Sequence, residues 1–325
     1  MGAGPAEAAQ RRRDELPLWR DMLAGDGGAW LPRAVDPRRD TMATMRTHVA
    51  SLDADTTRIL LTQAPERING RINDVLLSAF LLAALQWRRG RGDSEARAAA
   101  FDLEGHGREA AAVEGLIDGA DLSRTVGWFT SLFPLRLDAA DFDLDQALAG
   151  GKALERALKS VKEQLRRVPD QGIGYGLLRH LDPSARAELA ALAPPSLGFN
   201  YLGRFAVADG AGRADADGNP VGEDGGFGGG GDAEQALAHP LELNALVRDE
   251  ADGPRLYANW NWAGELLDQA AVAAFAGAWF DALRRIADFA RDADGAALTP
   301  SDVPLVALDQ SDIELLESLY AQLED

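Results

Sequence analysis

Apolar positions recur along the chain with two periods, and together they lay out a sheet and the helices that cover it. Over 73–88, Val75, Leu76, Ala79, Phe80, Ala83 and Trp87 fall three and four apart, the spacing of one helix face. Asn73 stands where an N-cap is expected, and Asp74 suits the positive end of the helix dipole. The same period predicts helices over 16–23 and 53–61, and a long one over 145–166 with Leu154, Leu158, Val161 and Leu165 inward. It predicts another over 267–291, with Val272, Phe275, Trp279, Leu283 and Ile286 inward. Asp182-Pro183 supplies an N-cap and a first-turn proline, and Ser311-Asp312-Ile313-Glu314 has the form of a capping box.

Period two marks the strands. One is predicted over 44–52, a second over 97–103 running straight into Glu104, and a third over 196–202. Over 240–247, Leu241, Leu243, Ala245 and Val247 alternate with Glu242, Asn244 and Leu246. Over 255–262, Leu256, Ala258, Trp260 and Trp262 share a face opposite Tyr257, Asn259 and Asn261, and Gly253-Pro254 reads as the hairpin turn between them. Residues 206–235 are rich in Gly and Asp and are expected to form a mobile loop, since like charges and glycines bury too little to offset the entropy of ordering. No internal repeat is present. A mixed sheet covered by long helices is an α+β arrangement, a mixed α/β sandwich.

Composition narrows the partners. With 325 residues, 46% of them hydrophobic, the chain can bury a large core. Its net charge of −19 and lack of a basic stripe argue against nucleic acid and anionic membrane, because phosphate binding needs a face of Lys and Arg. The absence of cysteine removes thiol nucleophiles, disulfides and Cys-based zinc sites, and it fits a cytoplasmic protein. Arg11-Arg12-Arg13 is followed by Asp14-Glu15 instead of an apolar signal core, and the longest apolar stretch, 75–87, is too short to span a bilayer.

Four short motifs follow one another in order: Glu104-Gly-His-Gly-Arg-Glu109, Ser123-Arg-Thr-Val-Gly-Trp-Phe-Thr130, Gly172-Ile-Gly-Tyr-Gly176 and Phe199-Asn-Tyr-Leu-Gly203. Asn73-Asp-Val-Leu-Leu-Ser-Ala79, His239-Pro-Leu-Glu-Leu-Asn-Ala-Leu-Val247 and Thr299-Pro-Ser-Asp-Val-Pro304 accompany them. As a set they resemble the later signature motifs of the epimerization domains of non-ribosomal peptide synthetases, over roughly residues 16–325. The resemblance implies the condensation-domain, chloramphenicol-acetyltransferase-like fold, in which two lobes enclose a tunnel. Residues 1–15 would be a disordered N-terminal segment, 16–52 a connecting segment, and 53–325 the C-terminal lobe. It implies inversion of the Cα stereocentre of an aminoacyl or peptidyl thioester carried on the phosphopantetheine arm of a carrier protein, with no metal or other directly bound cofactor. The partners implied are a peptidyl carrier protein, neighbouring synthetase domains and an N-terminal lobe. That lobe holds the family's His-His-x-x-x-Asp motif, which does not occur in this sequence: His48, His106, His180 and His239 are its only histidines, none adjacent to another.

A thioester acidifies its Cα–H, so the chemistry needs a positioned base, a group that stabilises the enolate, and a proton donor on the opposite face. By the resemblance, Glu104 matches the family's catalytic carboxylate, and Asn200 and Tyr201 match its active-site positions, able to hydrogen-bond near the thioester oxygen or relay a proton. His106, between glycines, reads as a loop organiser rather than a catalyst. Arg108 and Arg124 read as partners of nearby acids, the other reading being a contact to the pantetheine phosphate. Trp128 reads as core or tunnel wall, and Tyr175 as a motif-supporting residue. The Gly172 motif lacks the spacing of a dinucleotide loop, so close backbone approach is the preferred reason for its glycines. Glu104, His106 and Glu109 do not have a recognised metal-ligand spacing, and no metal site is assigned. An ordinary condensation domain and a non-catalytic docking fragment are the competing readings.

Overall fold

Six strands form one mixed sheet in the order β1-β6-β5-β4-β2-β3. They are β1 (Met45–Ser51), β2 (Ala98–Gly105), β3 (Ser131–Asp138), β4 (Leu197–Ala206), β5 (Leu241–Glu250) and β6 (Gly253–Ala263). The central pairs β5–β4 and β4–β2 are parallel, and the outer pairs are antiparallel. The computed structural model describes residues 5–24, 31–105, 124–127, 129–206, 232–292, 298–303, 308–313 and 315–316. The region expected to form a mobile loop, 206–235, lies for the most part outside the described residues.

Helices among the described residues are α1 (Pro5–Asp14), α2 (Leu16–Leu23), α3 (Ala54–Leu61), α4 (Gln63–Arg67), α5 (Ile72–Gly90), α6 (Leu144–Ala149), α7 (Gly151–Arg166), α8 (Ile173–Gly176), α9 (Pro183–Ala191) and α10 (Gln269–Asp292). Strand pleating sends alternate residues to opposite faces, so each strand divides its side chains between an apolar face and a polar one. Phe101, Phe199 and Trp260 share the apolar face, where they meet Phe80 of α5 and Phe275 of α10. The centroid of Phe80 is 5.1 Å from Phe101, 5.2 Å from Phe199 and 5.4 Å from Phe275, and Trp260 lies 4.9 Å from Phe275. Each such ring, fully removed from water, contributes about 1.5–3 kcal/mol. The arrangement is the α+β fold expected from the two periods. Among the described residues no single helix is long and apolar enough to cross a membrane.

Several boundaries depart from the sequence pattern, each for a local reason. The helix predicted from Asn73 begins at Ile72, with Arg71 as N-cap, and the Asp74 carboxylate accepts the Arg71 N–H at 2.6 Å. The long helix predicted over 145–166 is two, because Gly150 (φ 101°) and Gly151 (φ 62°) turn the chain through conformations that favour glycine. Gly253 and Pro254 open β6 and pair with Glu250 and Asp249, so the hairpin turns at Ala251-Asp252 instead. Strand β3 has no counterpart in the predicted elements.

The N-terminal expectation is also corrected. Residues 1–15 contain helix α1, held by charge rather than by apolar area. Arg12 is buried between Glu15, 2.7 Å away, and Asp170. Glu15 also accepts the indole N–H of Trp19 at 3.1 Å, and the fully buried Trp19 ring packs on Phe133 and Tyr175. The glycine motif closes around this cluster. Asp170 (φ 43°), Gln171 (φ 52°) and Gly172 (φ 84°) pass through the left-handed region in succession. A Cβ at Gly172 would enter the Phe133 ring, and one at Gly174 would enter the Glu15 carboxylate. Close backbone approach is what these glycines permit.

On the other side, Lys162 anchors the 299–302 segment. Its side chain is 1% exposed, and its ammonium donates to the Ile68 carbonyl at 2.8 Å and to both oxygens of Asp302 at 2.7 Å. Burial raises the Asp302 carboxyl, but Lys162 and the Thr299 N–H and hydroxyl outweigh it and hold the carboxyl below its ordinary value.

Three outcomes test these contacts. Lys162→Met should cost about 3–5 kcal/mol in urea unfolding, because it leaves a buried carboxylate unpaired. The stability that Asp302 contributes is present above the ordinary carboxylate range and lost as pH falls below it, a pH dependence that Asp302→Asn should remove. Gly172→Ala should cost about 1–3 kcal/mol by the same measurement, through the strained φ and the collision with Phe133.

Candidate functional site

The register of β2 beside β4 builds the site. Asp102 pairs with Gly198 and Leu103 with Phe199, which brings Glu104 level with Asn200. The pleat that sends Phe101, Leu103 and Phe199 into the core sends Asp102, Glu104 and Asn200 to the other face. Continuing across the sheet, Gly198 pairs with Glu242 and Asn200 with Asn244, and these pair with Asn261 and Asn259 of β6. Three carboxylates and four asparagines thus share the polar face of four adjacent strands. The Asn200 amide donates to Glu104 Oε2 at 2.7 Å, fixing the carboxylate at the end of β2.

Gly198 leaves a gap in this face, and His239 fills it. A Cβ on Gly198 would stand 2.8 Å from His239 Nδ1, so only glycine admits the imidazole there. His239 Nε2 is 2.8 Å from Asp102 Oδ2. The segment leading to His239 is fastened on both sides: the Leu237 N–H donates to the Asp40 carbonyl at 2.9 Å, and the Pro240 carbonyl accepts from Ala263 at 3.0 Å. Asp40, fully buried, is itself gripped by both Nη atoms of Arg33 at 2.6 and 2.8 Å.

Electrostatics couple these groups. Burial raises the Glu104 carboxyl above its ordinary value, the Glu242 charge raises it further, and His239 opposes both. Burial would lower His239, but the hydrogen bond and charge of Asp102, with the charges of Glu242 and Glu104, outweigh it and raise the imidazole above its usual value. A half-buried carboxylate with a raised pKa and one fixed hydrogen bond has the character of a general base or acid.

Of the residues singled out from sequence, Glu104 and Asn200 are in direct contact. Tyr201 follows Asn200, so alternation carries it to the opposite side of β4, where it packs on the core; burial, opposed by Arg204, pushes its hydroxyl up to about 12. Tyr175 packs on Trp19, and burial first and the Asp102 charge second raise its hydroxyl, with Arg179 opposing. Arg124 is exposed in a turn. His106, Arg108, Glu109 and Trp128 lie outside the described residues. Among the described residues, no group of three His, Asp or Glu side chains could hold a metal ion. Asp102, His239 and Glu242 are the members that sequence reasoning did not assign to the site. The available signal was the period-two spacing of Asp102 with Glu104, and the histidine three residues before the first polar-face position of β5.

Residues 6–289 match the family described as Condensation domain. A linear gramicidin synthase protein of Brevibacillus parabrevis is 36% identical over 308 residues, 92% of this chain and 4% of that protein. Surfactin synthase subunit 1 of Bacillus subtilis (strain 168) is 32% identical over 310 residues, 92% of this chain and 8% of its own length. Among solved structures, the epimerization domain from the third module of tyrocidine synthetase B superposes with a TM-score of 0.64 at 26% identity, over 86% of this chain and 56% of that one. The chain therefore spans a small part of these curated relatives and just over half of the solved domain. It belongs to the condensation-domain family of non-ribosomal peptide synthetases, whose members are enzymes, transferases or epimerases.

Proposed function

We propose that the chain is the C-terminal portion of an epimerization domain, inverting the Cα stereocentre of an aminoacyl or peptidyl thioester on a carrier protein. The observation that carries this reading is the Glu104 carboxylate at the end of β2, half-buried, bound to Asn200 and raised in pKa by burial and Glu242. The ordered motifs and the likeness to a solved epimerization domain support it.

In this reading Glu104 takes the proton from Cα, and the electron pair of the C–H bond moves into the thioester as an enolate. A second acid–base group returns a proton to the opposite face, regenerating the C–H bond with inverted configuration. Glu104 then releases its proton to solvent, the second group takes one up, and the thioester is unchanged. The family's tandem-histidine motif would supply that second group from the N-terminal lobe; it is absent from this sequence. Asn200 keeps the carboxylate oriented, and burial keeps its basicity high enough to compete for a weakly acidic C–H.

A condensation reaction is the second reading, supported by the breadth of the matched family. It would join an amine to the thioester carbonyl with expulsion of the thiol.

A chirality assay on an L-aminoacyl carrier thioester separates the two. The chain alone should give no inversion, and adding a family N-terminal lobe should restore it. Glu104→Gln in that reconstituted domain should lower the inversion rate on the order of 10²–10⁴-fold. A new amide bond with retained configuration would replace this reading with condensation.

A further inference from the structure

The proposed chemistry uses Glu104 and Asn200 and leaves His239 without a task, although it is the most enclosed titratable group on the polar face. Its side chain is 8% exposed, and it meets Asp102 at 2.8 Å. Its Nδ1 is buried and has no hydrogen-bond partner among the described residues, so no acceptor there fixes the charge of the ring. The surrounding charges decide it. Those that face the ring are Asp102 and Glu104 of β2 and Glu242 of β5, with Tyr175, hydrogen-bonded to Arg179, next to Asp102.

We propose that His239 is a positioning residue for Glu104: seated over Gly198 and held by Asp102, its imidazolium supplies the positive charge that keeps Glu104 ionised beside Glu242. Asp102 and Glu104 of β2 and Glu242 of β5 share one face across β4, and at half-buried Glu104 the Glu242 charge favours protonation. A protonated Glu104 cannot accept a proton from Cα. One imidazolium within the group opposes that tendency. Gly198 is the structural condition for it, since any side chain at this position of β4 would occupy the place of the ring.

The alternative is that His239 merely plugs the gap above Gly198. A plug affects stability but leaves the titration of Glu104 where it is, whereas a charge moves it in a known direction. The inference rests on the proposed role of Glu104 only for its catalytic consequence; the coupling itself can be read without turnover.

The test is carbon-13 NMR of the full chain labelled at glutamate Cδ, with the Glu104 resonance assigned by its loss in Glu104→Gln. In His239→Gln the Glu104 midpoint should move to higher pH, and in Glu242→Gln to lower pH. In the unsubstituted protein the His239 ring, one of four histidines, should be charged at pH 7 and titrate above its ordinary value. An unmoved Glu104 midpoint in His239→Gln, or a neutral His239 at pH 7, overturns the proposal. Should His239→Gln fail to fold, the histidine titration of the unsubstituted protein decides alone. In the reconstituted domain, His239→Gln should shift the acid limb of kcat/KM for inversion to higher pH. Midpoints that move as expected in a domain that inverts nothing would leave the ion pair standing and remove the epimerase reading.

Discussion

The register between β2 and β4 is the constraint on which the rest depends. Side chains alternate along both strands, so a slip of one residue would carry Asp102, Glu104 and Asn200 into the aromatic core and bring Phe101, Leu103 and Phe199 out of it. The core behind the sheet forbids this. Phe80 touches both Phe101 and Phe199, and so locks the two strands to one helix and to each other. The contact between Asn200 and Glu104 is a single hydrogen bond of modest net worth, about 0.5–3 kcal/mol. The apolar cluster on the reverse face is worth several times that. The site is therefore placed by packing, and its own polar contacts only orient what packing has placed.

That division explains how the polar face tolerates so much unfavourable charge. Burial and the Glu242 charge favour the neutral form of Glu104, and a fold that relied on this face for stability would gain little. Here the stability comes from elsewhere: the rings around Phe80, the Lys162–Asp302 pair and the Arg12–Glu15–Asp170 cluster. All three lie apart from the Glu104 contact, so Glu104 can hold a raised proton affinity without unfolding the sheet. The same separation lets His239 sit beside Asp102 with one ring nitrogen unpartnered among the described residues, a defect that a structural histidine would have little reason to keep.

How far all this was legible in the sequence follows from whether each feature is local. The alternation in 240–247 and 255–262 announced two faces of opposite character, and the structure has them. Helices 72–90 and 269–292 were visible because their apolar faces repeat over many turns. Glu104 and Asn200 were found through motifs rather than through chemistry, and nothing local said that they touch. Gly150 and Gly151 interrupt an apolar period without abolishing it, so 145–166 read as one helix. The α1 helix is held by Asp170, far along the chain, and β3 is defined by its pairing with β2. Asp102, Gly198, His239 and Glu242 come from three separate segments that meet only through strand register, which no window of sequence contains.

A sheet face presents its groups from one side, and that limits what this surface can do. Glu104, Asn200, Asp102, Glu242 and His239 all project from the same face, or lie over it. A flat arrangement of this kind can remove a proton from a tetrahedral carbon lying above it. It cannot also deliver one to the carbon's far side unless the substrate turns over, and a tethered thioester has little freedom to turn. Inversion therefore calls for a second wall facing the sheet and bearing its own acid. On the proposed reading, the economy of the site follows: this face needs one ionised base with its affinity raised, not a complete acid–base pair. The His239 charge beside Glu104 then has a definite purpose, because with the second acid on another wall, this surface contributes to turnover only while Glu104 is able to accept.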